Sequence, residues 1–168
     1  MIALLITTVK EFMNQTLVGE LFDHFLLSEA SVTSKISYSI DGHLYLSHFS
    51  EPEKLRLIEE EVTLIPFHYV KRTIFDMMKG TQTPSFLKLV LQLSPKNIRN
   101  TLTSIDSRLT CEDIGGMCIN LTFQNERLMC TTGISYTIFA KDKELEHEWD
   151  RLICRFLEQH NIVYEILA

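Results

Sequence analysis

The order of apolar patterns repeats once along the chain, and that repeat constrains the architecture more than any single motif. In the first half, the apolar run Ile2–Ile6 passes through Thr7 and Thr8 into Val9, Phe12, Met13 and Leu17, which recur at helical spacing. Two strand-like segments follow, Phe25–Thr33 and Lys35–Ile40, and later a helix with Phe67, Val70, Ile74, Met77 and Met78 on one face. In the second half, Phe86–Leu93 alternates at Leu87, Leu89, Leu91 and Leu93, and Ser94-Pro95 opens a helix through Ile98 and Leu102. Met117, Ile119, Leu121 and Phe123 alternate again, Leu128–Phe139 returns, and a long helix capped by Asp142 carries Leu145, Trp149, Leu152, Phe156, Ile153 and Leu157. Each half is a β-α-β-β unit with a trailing helix. The expectation is one α+β domain over residues 1–168, with halves at about 1–80 and 85–168, antiparallel sheet and about four helices.

Shorter signals place the turns and caps. Thr8 and Glu11 read as a capping box, in which each side chain reaches the other residue's backbone, and Gly19 reads as the helix stop. Asp41-Gly42 predicts a hairpin turn with positive φ, returning along a strand at His43–Phe49. Residues 50–63 carry Glu51, Glu53, Glu59, Glu60 and Glu61 against Lys54 and Arg56 and are expected to form an exposed connection with at most one helical turn. Pro66 suits the first turn of the next helix, and Gly80 suits a C-terminal glycine cap. Gln124-Asn125-Glu126-Arg127 predicts a hairpin, Gly133 a bulge, and Ile162–Ile166 a last strand.

Composition narrows the function classes. The chain has 168 residues, is 45% hydrophobic and 23% charged, and carries 16 lysines and arginines against 22 aspartates and glutamates, a net charge of −6. It therefore resembles a soluble cytoplasmic domain with an ordinary core, with neither a membrane span nor a signal peptide at Met1–Ile6. Cys111, Cys118, Cys130 and Cys154 form no Cys-x-x-Cys pair, so small apolar roles in a reducing compartment are expected, with no metal and no cofactor. His147 in Glu146-His147-Glu148-Trp149-Asp150 lacks a second histidine, because Arg151 stands one turn on. Gly115-Gly116 precedes a strand, Ser135 lacks a nucleophile elbow, and no glycine-rich loop opens a helix. The chain is accordingly expected not to be an enzyme.

The repeated order resembles one domain of the DNA sliding-clamp (processivity-factor) fold, over residues 1–49 and 86–139. In that fold two β-α-β-β-β units are related by a pseudo-twofold, with their helices side by side behind a wall of sheet. The resemblance implies that the first and third helices share a face presenting Lys10, Lys96 and Arg99 to the DNA backbone. Lys71, Arg72 and Lys79 on the second helix would add to a basic surface that neutralises phosphates without reading bases. A second resemblance runs along the whole chain. Phe22–Ala30, Ile40-Asp41-Gly42, Lys79-Gly80 with Thr83-Pro84, Cys130–Ser135 and Trp149-Asp150 are similar to an uncharacterised bacterial family, a domain of unknown function, which implies no activity, cofactor or partner.

Two readings follow for function. The first is a non-enzymatic binding or scaffold protein, clamp-like, self-associating and touching the DNA backbone. The alternative is a protein–protein interaction or regulatory module without nucleic-acid binding, using an exposed strand edge or the acidic segment at Glu51–Glu61.

Overall fold

The computed structural model describes residues 1–139 and 142–168. One eight-stranded sheet runs through both halves: β1 (Ala3–Ile6), β2 (Leu26–Thr33), β3 (Ser37–Asp41), β4 (Ile65–Pro66), β5 (Phe86–Gln92), β6 (Ile114–Gln124), β7 (Arg127–Tyr136) and β8 (Tyr164–Ile166). Its order is β3-β2-β5-β6-β7-β1-β8, every pairing is antiparallel, and β4 adds to β2 beside β3. The described residues hold five α-helices: α1 (Val9–Leu17), α2 (Glu51–Glu59), α3 (Phe67–Met78), α4 (Pro95–Ser104) and α5 (Lys143–Gln159). The α+β class and antiparallel sheet are as expected; α2 adds a helix.

Register turns sequence alternation into a core. Ala30, Leu89, Leu121, Cys130 and Leu4 stand in one row across the strands, and Val32, Leu87, Phe123, Leu128 and Ile6 in the next. Because strand side chains alternate between faces, these rows point one way. They meet Phe12 of α1, Phe67 and Ile74 of α3, Ile98 and Leu102 of α4, and Leu145, Trp149, Ile153 and Leu157 of α5 in one cluster. The opposite rows, with Lys88, Asn120, Thr122 and Thr131, are half-exposed. Four helices thus cover one face and leave the other to solvent, as antiparallel sheets allow.

The repeat is one of element order only. β5 lies between β2 and β6, whereas its counterpart β1 lies between β7 and β8. The first helix also finds a different neighbour, packing mainly on α3.

Several local expectations are corrected. Gly42 does not make a hairpin turn, and among the described residues no glycine has positive φ. Instead it ends β3 where β2 bulges between Leu27 and Glu29: the Gly42 N–H donates to the Ser28 carbonyl, and Ile65 N–H donates to the Gly42 carbonyl. The return strand at His43–Phe49 is replaced by a single bridge, His43 to Leu64, and a 3-10 turn at Leu46–His48. α3 ends through extended Lys79, so Gly80 is not its left-handed cap. The bulge assigned to Gly133 lies on the partner strand, between Ile114 and Gly116; Gly133 pairs regularly with Cys118. Thr8 does not cap α1 with its side chain, because its hydroxyl accepts from Val163 N–H at 3.5 Å while Glu11 accepts from Gln15.

Candidate functional site, a cleft beside an acidic insertion

Residues 42–64 form an excursion between β3 and β4 with its own small core. Leu57 of α2 packs with Leu26, Val62 and Leu64, and Leu44, Leu46 and Phe49 close over them. Leu26 and Leu27 adjoin on β2 and face opposite ways: Leu27 enters the main core and Leu26 the satellite. α2 starts where the chain supplies its own cap, since the Glu53 carboxylate accepts from Ser50 N–H at 3.1 Å and Ser50 Oγ at 2.7 Å. Those bonds hold the Glu53 carboxyl below its ordinary range. Pro52 sits in the first turn, where a missing N–H costs nothing.

Between this insertion and α4 runs a cleft with two lobes. One, of about 660 Å³, is lined by Leu64, Gln92, Ile98, Cys111, Gly115 and Gly116; the other, of about 790 Å³, by His24, Arg56, Glu59, Glu60, His68 and Lys96. Arg99 lines both. Its guanidinium donates to Glu61 at 2.7 Å and so ties α4 to the end of the insertion. The same bond raises the Arg99 pKa, against the opposing effect of burial. Glu61 reaches it from a left-handed backbone, φ 56°, a conformation that disfavours side chains other than Asn and Asp. Arg56 donates to the Tyr69 hydroxyl at 2.8 Å, which fastens α2 to α3.

The predicted cations separate. Lys96 and Arg99 line the cleft, whereas Lys10 and Lys79 line a groove between α1 and the end of α3. Lys71 is mostly buried and donates to Asp23 and to the Gly19 carbonyl, both at 2.6 Å, so it pins α3 to the loop after α1. Arg72 and Lys79 share Asp76 at 3.3 Å each. Among the described residues, Lys10 and Lys96 make no ion pair. Gln92 has no signal in the sequence, Cys111 is expected only as a small apolar residue, and Glu61 is expected in the acidic segment without its partner Arg99. Arg56 and Glu61 lie in the stretch read as a connection, and the Ser50–Glu53 box in that same stretch is the signal that marks it as a helix.

Other chemistry-bearing groups are built into the scaffold. The Thr132 hydroxyl donates to Asp150, and Trp149 Nε1 donates to the Cys118 carbonyl at 3.1 Å, which locks α5 onto β6 and β7. All four cysteines are free thiols, and burial pushes Cys130 up to about 12. Among the described residues no group of three or more His, Cys, Asp or Glu side chains is placed to hold a metal, and no helix is long and apolar enough to cross a membrane. Neither the curated proteins nor the solved structures yield a match. A family model matches residues 15–165, covering the insertion, both lobes of the cleft and α5, and the chain belongs to the family of unknown function DUF5721.

Proposed function

We propose that this chain is a non-enzymatic binding module that engages a protein partner through the 42–64 insertion and the cleft beside α4. The observation that carries this reading is the insertion itself. It is a capped helix on a separate apolar cluster that meets the sheet through Leu26 and borders a two-lobed recess. A chain gains nothing for its main core from such an excursion, but it gains surface.

The clamp-like, DNA-contacting reading asks for uncompensated positive charge along one face. The carboxylates beside Lys71, Arg72, Lys79 and Arg99 weigh against it, as does the overall charge of −6. Lys96, exposed on the lip of the cleft, is the better probe of the protein-binding reading.

The test pairs two measurements. Anisotropy of a labelled DNA duplex at about 50 mM salt, where phosphate contacts are strongest, is expected to show no saturable binding. Affinity capture is expected to retain one protein in stoichiometric amount, with retention weakened by Lys96→Glu. Saturable duplex binding that Lys96→Ala and Arg99→Ala weaken would overturn the proposal, as would capture indifferent to charge reversal in the cleft.

A further inference from the structure

α2 is apolar on two opposite sides. Leu57 is 1% exposed in the satellite core, while Leu55 and Ile58 are 59% and 52% exposed. Residues three apart on a helix are neighbours, so Leu55 and Ile58 form one outward strip. Glu51 lies one turn before Leu55 and Glu59 one turn after it, which places a carboxylate at each end of that strip. Glu59 and Glu60 make no ion pair among the described residues, and Glu51 meets Lys54 only at 3.9 Å.

We infer that this outer face of α2 docks a cationic amphipathic helical segment of a partner protein, with Leu55 and Ile58 taking its apolar stripe and Glu51 and Glu59 its lysines or arginines. The inference rests on the protein-binding reading above and adds the chemistry of the partner. Charge decides among the possible occupants. A second copy would bring a further net charge of −6 against this face, so that like charge opposes like. An anionic lipid surface or a nucleic acid meets the same repulsion. A basic helix meets complementary charge and covers the apolar pair, in the helix-against-helix mode common to amphipathic targets.

The probe is a synthetic leucine–lysine peptide with leucines at helical spacing, compared by calorimetry with a scrambled peptide of identical composition. One saturable site for the amphipathic peptide only, weakened at least about tenfold by Leu55→Ser with Ile58→Ser, supports the inference. Glu51→Gln with Glu59→Gln is expected to weaken binding several-fold and to flatten its salt dependence. These side chains are exposed, and unchanged circular dichroism and melting would establish that the variants fold. Equal binding of the scrambled peptide, equal binding by the leucine variant, or no binding at all overturns the inference. If the captured partner still binds the Leu55→Ser, Ile58→Ser variant, the docking face is wrong while the protein-binding reading stands.

Discussion

At the residue scale, Gly42 is the glycine with the least room for a side chain. A Cβ there would lie 1.8 Å from the Leu27 carbonyl oxygen and 3.0 Å from that of Ser28, both backbone atoms of β2 that cannot swing aside. Its glycine is required by close approach, with no need for positive φ. Gly42→Ala is expected to destabilise the fold by about 3 kcal/mol or more, at the upper end for overpacking, read as a lower urea midpoint with unchanged slope. A loss under about 1 kcal/mol would mean the bulge at Leu27–Glu29 can relax. The sequence marks Asp41-Gly42 as special but ascribes it to a turn, because the steric partner lies on a strand brought there only by tertiary folding. The opposite case is Asn125-Glu126, whose φ values of 51° and 61° close the β6–β7 hairpin as the local sequence predicts.

At the scale of elements, the two capping signals show what local sequence decides. Thr8-Glu11 and Ser50-Glu53 have the same spacing, yet only the second forms the box. Thr8 is claimed by the segment leading into β8, far along the chain, while Ser50 has no such competitor. Helices with clear 3.6-residue stripes were legible for this reason, and α2 was not: with Leu57 alone buried, its pattern looks like a charged loop. Its cap carries a pH dependence. Glu53's folded pKa lies below the ordinary 4.5, so its stabilisation is complete above that value and is lost as pH falls through the lowered folded value. Amide exchange within α2 should therefore accelerate on acidification below 4.5 relative to α4, whose Ser94–Pro95 start has no carboxylate in its first turn. Glu53→Gln should remove the difference between the two helices' pH profiles, and an unchanged profile would show that another group controls α2.

For the whole molecule, strand patterning read from sequence names the inward residues of β5 and β6 but leaves their neighbours open. Leu87, Leu89 and Leu91 announce a buried face, but nothing local says that β5 will sit between β2 and β6. Pairing partners are chosen by the collective fit of rows, where a shift of one residue would turn every side chain to the wrong face. The candidate site is legible only in part for a related reason. Lys96 and Arg99 were visible as a helical pair, but their neighbours Glu61 and Arg56 come from the insertion, and the insertion's placement depends on Leu26 facing away from Leu27. That division into two apolar clusters implies two levels of stability. The satellite holds few buried side chains and touches the sheet through Leu26, so it should open without the main core. Leu57→Ala removes the one side chain of α2 that reaches this cluster, a change that costs about 2–5 kcal/mol in a packed site. Hydrogen exchange should then rise across residues 51–66 while amides of β5, β6 and β7 keep their protection. If protection falls equally in both regions, the insertion is part of a single cooperative unit, and the cleft behind it is a fixed wall. If it falls in the insertion alone, partner binding at α2 and the shape of the cleft are coupled through the same small cluster.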